Sequence, residues 1–451
     1  MGTQLEVDEK RKMAEGQKDK DRPVVVIVGA GFGGLQAARK LAKAPVRVVM
    51  LDKRNYHLFQ PLLYQIATAG ISPGEIAHPV RGILGQQKNF QFHLAEVKRF
   101  DFEGRRVVSN NGSFEYDYLV IASGAESNHF GIESVRRNAL DMKDLDDAID
   151  IRNKVLCSFE QVDQEQDPIR RRELLTFVVV GGGPTGVETA GALSELIRLV
   201  LVKDYPRMDL NEVWIILLEA TDQILTGFPA HLREKAVKAL EGKHIEVRCK
   251  TAVSDFDGQR VVLKDAEPIA ARTMIWAAGV RVTSLMDQTG LKQARQGRLV
   301  VRPTLQLGQY PQVFVIGDAA YLEADGEPLA MMATVAMQQG DFVAANIRRM
   351  VEGKPLKDFH YQDPGALATI GRNQAVVRLG KLTFSGFIGW IMWVGLHIYR
   401  LIGFRSKFLV MINWIWDYFM YERGIRLITP YGKHCEERGL EKDRGAVRNA
   451  G

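Results

Sequence analysis

The stretch Pro23-Val24-Val25-Val26-Ile27-Val28-Gly29-Ala30-Gly31-Phe32-Gly33-Gly34-Leu35 decides the fold. Val24–Val28 is an unbroken β-branched run, the composition of a strand buried on both faces of a parallel sheet. The glycines then make a turn, and Leu35–Ala44 has helical composition. A second strand, Val46–Leu51, ends at Asp52. Strand, turn, helix and strand form a βαβ unit. Gly29 permits the tight turn, Gly31 lets backbone N–H groups approach a diphosphate, and Gly34 allows the helix to pack closely on the strand. The helix start presents about half a positive charge to the diphosphate. Asp52 stands where a carboxylate accepts both ribose hydroxyls.

Working outward, the same plan returns about 150 residues later, a duplication and not a solenoid of short repeats. Leu174–Val180 reads as a strand, Gly181-Gly182-Gly183-Pro184-Thr185-Gly186 as the turn, and Val187–Val202 as a long helix. Val213–Leu218 is the next strand, ending at Glu219. This acid lies further on than the usual ~20 residues, because helical composition continues from Ser194 to Tyr205. An acid repels a 2′-phosphate and Ala220-Thr221 offer no arginine to receive one, so NADH is expected over NADPH. Two further strands, Tyr118–Gly124 and Thr273–Gly279, resemble each other, and Val313–Asp318 closes the nucleotide-binding portion. Two dinucleotide sites in one chain imply a retained cofactor and an exchanging cosubstrate. A hydride donor beside a flavin is the economical explanation.

The remaining composition narrows the field. At 451 residues, 46% hydrophobic and 25% charged, the chain is globular and long enough for about three domains. A net charge of +6, without a basic block interleaved with aromatics, argues against nucleic acid and suits an anionic lipid surface. Cys157, Cys249 and Cys435 share no C-x-x-C spacing, so they read as ordinary thiols, with neither a disulfide framework nor a thiol relay. His57, His78, His93, His129 and His397 show no metal-ligand spacing and read as surface or satisfied histidines; no metal is expected. Residues 1–21 mix charges without an apolar run and read as a disordered extension, neither a secretory signal nor a transit peptide.

Five motifs in order resemble the two-dinucleotide-binding-domain flavoprotein superfamily. In that superfamily the first turn holds FAD, the second holds NAD(P)H, and a Gly-Asp strand end, here Gly317-Asp318, reaches the ribityl chain. Ala122-Ser123-Gly124 and Ala277-Ala278-Gly279 resemble its A-T-G signatures, departing at Ser123 and Ala278. Within the superfamily the chain is most similar to type II NADH dehydrogenase, the non-pumping NADH:quinone oxidoreductase. Arg54 to Thr68, Gly181 to Glu188, Gly365 to Arg372 and the aromatic tail carry that resemblance. It implies a flavin cradle of Gly29, Gly31, Gly34, Asp52, Lys53, Val97, Ala122, Ser123, Gly124, Gly317 and Asp318. It implies an NADH cradle of Gly181, Gly183, Gly186, Glu219, Ala278 and Gly279. Glu188 would contact the nicotinamide–flavin stack and, with Gln338 and Gln339, serve the quinone side. Thr334 stands where the family often has glutamine, which leaves quinone type open. The bland reading of Glu188 is a helix-start carboxylate stabilised by the macrodipole by about 0.3–1 kcal/mol.

The tail is a unit of its own. Four of six tryptophans fall between Phe384 and Gly432, and Gly386–Tyr399 has no formal charge. Phe384–Ile402 is near the ~20 residues that span a bilayer, but glycines and polar residues interrupt it. In the next stretch Phe408, Ile412, Ile415 and Phe419 fall near one helical face. Interfacial amphipathic helices are therefore expected, over a transmembrane hairpin or a buried dimer contact.

The expected fold is α/β: two Rossmann-like domains, the NAD domain inserted in the FAD domain, plus amphipathic membrane-binding helices. The expected segments are 22–141 and 281–350 for FAD, 142–280 for NADH, 351–432 for the membrane-associating region and 433–451 for a flexible tail. The expected activity is hydride transfer from NADH to bound FAD and two-electron reduction of a membrane quinone. It would take place at the cytoplasmic face of a bacterial cell membrane, with a homodimer left open. The competing readings are a sulfide:quinone oxidoreductase, a soluble disulfide reductase and a non-catalytic nucleotide sensor. The first two want paired redox cysteines, which the spacing does not offer.

Overall fold

The computed structural model describes residues 21–420 and 424–429, so the expectations for residues 1–20 and 430–451 lie outside it. The chain groups into two compact units. One comprises the chain up to Leu58, His78–Glu126 and Val280–Asp363; the other comprises Phe59–Ala77, Ser127–Gly279 and the chain from Pro364 on.

The first unit is built on a five-stranded sheet in the order Val313–Val315, Tyr118–Ile121, Val24–Val28, Arg47–Asp52 and Phe90–Leu94. Every neighbouring pair is parallel. Val25, Val26 and Ile27 are fully buried, the two-sided burial that the β-branched run implies. Helix Phe32–Lys40 leaves the first strand through Gly31, and Leu41–Lys43 tightens into a 3₁₀ turn. Helix Ala333–Val351 packs on Phe32–Lys40 so closely that an added Cβ at Gly340 would overlap the Gly33 carbonyl. A small antiparallel sheet, Val97–Asp101, Arg106–Ser109 and Gly112–Glu115, precedes strand Tyr118–Ile121.

The second unit repeats the plan. Its parallel sheet runs Leu140–Asp141, Thr273–Trp276, Thr176–Val180, Trp214–Leu218 and Ile245–Arg248. An antiparallel trio, Val253–Phe256, Arg260–Leu263 and Ile269–Ala270, again precedes the third core strand. Duplication therefore extends beyond the glycine turns to four strands of each sheet and the antiparallel trio. The remaining outer strand differs: in chain order Val313–Val315 comes last in its sheet and Leu140–Asp141 first. The long helix runs Pro184–Glu195 and continues through π-helical turns at Leu196–Leu201 into Val202–Asp204, which accounts for the distance from Gly181 to Glu219.

The grouping departs from the expected segment boundaries for physical reasons. Residues 127–141 join the second unit because Leu140–Asp141 completes its sheet beside Leu140's partner Ile275. The tail also joins it. Strands Ala366–Thr369, Ala375–Leu379 and Leu382–Ser385 form an antiparallel sheet, and an added Cβ at Gly191 would lie 2.9 Å from the Ile370 carbonyl carbon. Small residues on helix Pro184–Glu195 admit this approach.

The tail itself folds as two short helices, Gly386–Arg400 and Phe404–Met420. At 1.5 Å per residue they measure roughly 22 and 26 Å, short of a ~30 Å hydrocarbon core. No helix among the described residues is long and apolar enough to cross a membrane. Gly389 and Trp393 are buried, whereas Phe387, Ile388, Ile391 and Tyr399 are exposed. Phe408, Ile412, Ile415 and Phe419, expected on one face, are all exposed, at 48%, 43%, 53% and 69%.

Candidate functional site

The first turn has the geometry that its sequence demands. Gly29 adopts φ +105°, and a Cβ there would overlap the Ala122 carbonyl. A Cβ on Gly34 would overlap the Gly29 carbonyl, so only glycine lets the helix start beside the turn. Gly31 differs: a Cβ there would meet no protein atom within 4 Å, because its outer side faces open space. Asp52 holds the turn, with Ala30 N–H donating to Oδ2 at 2.6 Å and Arg54 N–H to Oδ1 at 2.8 Å. Each oxygen keeps lone-pair capacity for a ligand hydroxyl. Burial pushes the Asp52 carboxyl above the usual carboxylate range, and those two N–H groups draw it partly back. Lys53 is exposed just beyond, and Val97 is half-buried at the start of its strand.

The second turn reproduces this arrangement bond for bond. Gly182 N–H donates to Glu219 Oε2 at 2.6 Å, and Thr221 N–H to Oε1 at 2.7 Å. Gly181 takes φ +116°, and a Cβ on Gly186 would overlap the Gly181 carbonyl. Gly183 again faces open space. The strand ends match too: Ala122 N–H bonds Val28 O and Ala277 N–H bonds Val180 O, both at 2.8 Å, with Gly124 and Gly279 at φ +71° and +73°. Ala278 occupies the place of Ser123.

The two copies differ in their unmet hydrogen-bonding groups. Around the first turn, Ser123 Oγ, Gln339 Nε2 and His57 Nε2 are buried without a protein partner. An unsatisfied buried polar atom costs roughly 1–3 kcal/mol, and native proteins hold few of them. All three are closed off by protein, so it is the open side of Gly31 that fits a polar ligand such as a flavin dinucleotide. Gln339 is fully buried and not on an open face; its Oε1 accepts Gly317 N–H at 2.6 Å, holding the turn that carries Asp318. Gln338 is bound in a different way. Its Nε2 donates to Gln362 O at 2.8 Å and its Oε1 accepts Gln362 N–H at 3.0 Å, while Thr334 pairs with the Tyr361 hydroxyl at 3.0 Å. The sequence pairs these glutamines, but the fold sends them in opposite directions.

His57 corrects the reading of a surface or satisfied histidine. It is 1% exposed, its Nδ1 lies 2.9 Å from the Ala30 carbonyl, and its ring meets Phe32 edge-on at 5.0 Å. Burial lowers its pKa to about 4, so the ring is neutral, donates through Nδ1 to the turn and keeps Nε2 as an acceptor. Cys157 is a second correction, since it is disulfide-bonded and not an ordinary thiol. Pairing follows spatial approach, which a spacing rule does not register. Cys249 is free, and Cys435 lies outside the described residues. No cluster of three or more potential ligands for a metal ion occurs among the described residues.

Glu188 is not an exposed helix-start carboxylate. It is 8% exposed, and Thr369 N–H donates to its Oε1 at 3.2 Å across a sequence separation of 181 residues. Burial raises its pKa to about 8; the Thr369 N–H and the nearby Trp393 side chain oppose that rise. The indole N–H stabilises the carboxylate without a hydrogen bond of good geometry. At neutral pH the group is mostly protonated. Thr369 and Trp393 also line a cavity of about 90 Å³ with Tyr64, Gln65, Trp414 and Tyr418. Gln65 Oε1 accepts the Trp414 indole N–H at 2.8 Å. The cavity's charged lining residues are Arg372 and Glu195, the latter paired with Lys243 at 2.8 Å and accepting Arg372 N–H.

A family model described as pyridine nucleotide-disulphide oxidoreductase matches residues 23–340, the class that the fold and its twin turns define. Type II NADH:quinone oxidoreductase Ndh of Mycobacterium tuberculosis is 39% identical over 420 residues, covering 90% of each chain. Type II NADH:quinone oxidoreductase of Staphylococcus aureus is 31% identical over 367 residues, covering 79% of this chain and 89% of that protein. Within that class, the chain belongs to the type II NADH:quinone oxidoreductase family. The structure of NDH2 from Plasmodium falciparum in complex with NADH shares the fold, with a TM-score of 0.82 at 20% identity, over 92% of this chain and 100% of that one. A sulfide:quinone oxidoreductase from Aquifex aeolicus shares it at a TM-score of 0.68 and 18% identity, over 89% and 96%.

Proposed function

We propose that this chain oxidises NADH and reduces a membrane quinone through a bound FAD, without pumping ions. The observation that carries the reading is the pair of equivalent dinucleotide turns, each with an open glycine and an acid that holds the turn. The first, joined in its unit by the Gly317-Asp318 strand end, suits a resident cofactor. The second, held by Glu219 at its strand end, suits a cosubstrate that comes and goes. A flavin held by the first turn would supply the two-electron chemistry between a nicotinamide and a quinone.

The residue assignments follow from these contacts. Gly29, Gly31, Gly34 and Asp52 hold the diphosphate and ribose of FAD, with Lys53, Val97, Ala122, Ser123, Gly124, Gly317 and Asp318 completing the cradle. Gly181, Gly183, Gly186, Glu219, Ala278 and Gly279 hold NADH. The Glu219 carboxylate disfavours a 2′-phosphate. The balance NADH + H⁺ + quinone → NAD⁺ + quinol needs one proton from water. Glu188, mostly protonated at neutral pH, holds a proton behind Thr369 and Trp393, two residues of the aromatic cavity's wall, and that cavity would admit a quinone ring. Positioning supplies most of the rate.

The exposed apolar faces of Gly386–Arg400 and Phe404–Met420 rest on an anionic lipid surface. They place the cavity where a lipid-soluble acceptor arrives without crossing water. NADH reaches the enzyme from the cytoplasmic side of a bacterial cell membrane. The test is steady-state NADH oxidation by flavin-loaded protein with and without a soluble quinone. Quinone-dependent turnover is expected, and its absence would defeat the reading.

A further inference from the structure

We propose that Cys157 forms its disulfide with Cys435, stapling the C-terminal segment of the chain to helix Leu145–Gln164 at a covalent site apart from both dinucleotide turns. Three cysteines occur in the sequence, Cys157, Cys249 and Cys435. Cys157 is disulfide-bonded and Cys249 is free, so Cys435 is the partner that remains within the chain. Position agrees. Cys249 follows strand Ile245–Arg248, at the opposite edge of the sheet from Leu140–Asp141, the strand that leads into the helix. Cys435 lies outside the described residues, and where the described chain ends supports the pairing. Thr429, the last described residue, is already fastened to the helix. Asn153 Nδ2 donates to Thr429 Oγ1 at 3.1 Å, and Thr429 N–H donates to Asn153 Oδ1 at 3.3 Å. Arg426 pairs with Asp204 at 2.9 Å, and Arg426 and Ile428 line a cavity of about 460 Å³ together with Leu156 and Glu160 of the same helix. Asn153 and Cys157 stand on one helix face, one turn and about 6 Å apart. Cys435 is six residues beyond Thr429, a tether that reaches about 20 Å when extended. A disulfide needs its Cα atoms about 4–7 Å apart, so the tether closes it with slack.

The segment continues from the second tail helix, whose last carbonyls are also held: Tyr418 O accepts from Arg372 and Met420 O from Lys203. The bridge thus locks the far end of the amphipathic region onto the second unit. It forms by exchange with a low-molecular-weight disulfide. The Cys157 and Cys435 thiols each give up a proton and join through a new S–S bond, while the S–S bond of the small disulfide breaks and its halves leave as two thiols. In a reducing compartment such a bridge responds to the thiol pool, closing when that pool is oxidised and opening when it is reduced. The test uses full-length protein incubated with oxidised glutathione, quenched with acid, alkylated, and digested without reductant for mass spectrometry. Wild type and Cys249→Ser should both yield one joined pair of peptides carrying Cys157 and Cys435, lost on treatment with a dithiol; Cys435→Ser should yield none. The bridged wild type should melt roughly 4 °C or more above its reduced form, whereas Cys435→Ser should melt alike with and without the dithiol. Cys157 recovered as an alkylated free thiol, joined to Cys249, or joined to a second chain on non-reducing electrophoresis would overturn the pairing. A bridge whose reduction leaves the melting temperature unchanged would overturn the stapling.

Discussion

Glu188 offers a prediction that can be worked from the structure without any bound ligand. Its carboxyl ordinarily titrates at 4.5, and in the folded chain burial moves it to about 8. Below pH 4.5 both folded and unfolded chains hold the proton, and the group is neutral to stability. Between 4.5 and about 8 the unfolded chain loses the proton while the folded chain keeps it. Folding is therefore disfavoured by ~1.4 kcal/mol for each pH unit gained. Above about 8 both forms are ionised and the cost levels off. Replacing Glu188 by glutamine keeps the shape and an oxygen to accept Thr369 N–H, but removes the titration. The variant should gain on the wild type by about 4 kcal/mol between pH 5 and pH 8, or roughly 2–4 kcal/mol once local relaxation around a buried charge is allowed for. With ~2–4 °C per kcal/mol in a unit of this size, the melting-temperature difference should widen by about 4–16 °C over that range. Thermal unfolding of both proteins at pH 5, 6, 7 and 8 measures it. Parallel curves would show that Glu188 is already ionised in the folded protein and holds no proton for the quinone step.

The other predictions are briefer. Gly34→Ala forces the first helix away from the Gly29 carbonyl, and at ~1–3 kcal/mol of overpacking should cut FAD affinity about tenfold or more by flavin titration. Gly186→Ala meets the same obstacle in the second copy and should instead raise KM for NADH while flavin content stays at the wild-type level. Asp52→Asn leaves only one carbonyl oxygen for the Ala30 and Arg54 N–H groups, so about 1–3 kcal/mol of FAD binding should be lost by the same titration. Replacing Ile415 and Phe419 together by aspartate should reduce sedimentation with anionic vesicles roughly tenfold or more while turnover with a water-soluble quinone is retained.

What the sequence disclosed was local. The turns, their acids and the strand ends are written within short windows, and each glycine has its own steric reason visible at that spacing. The exposed face of the second tail helix was legible for the same reason, since Phe408, Ile412, Ile415 and Phe419 follow a 3.6-residue period. What escaped was decided by residues far apart in the chain. Nothing around Glu188 in sequence announces Thr369 or Trp393, and nothing near Gly317 announces Gln339. The burial of His57 beneath the Ala30 carbonyl belongs to the same class. So does the disulfide at Cys157, which a search for C-x-x-C passes over.

The duplication itself supplies a further argument, because two copies of one device can be compared position by position. Two residues after the last turn glycine, the first copy has Gln36 and the second has Glu188. Gln36 is half-buried and donates to Asp341 at 2.9 Å on the neighbouring helix, a packing contact. Glu188 is buried, mostly protonated at neutral pH and turned to Thr369 beside an aromatic cavity. A dinucleotide turn alone needs neither, since both copies keep their geometry with different residues there. The same comparison sets Ser123, with its buried unmet hydroxyl, against Ala278, which has none. Where the copies agree, in the glycines and in the acids at Asp52 and Glu219, one turn geometry is built twice. Where they diverge, the proposed reading has its explanation: one turn would keep its cofactor and the other would release its substrate, with the buried Glu188 carboxyl in the second copy.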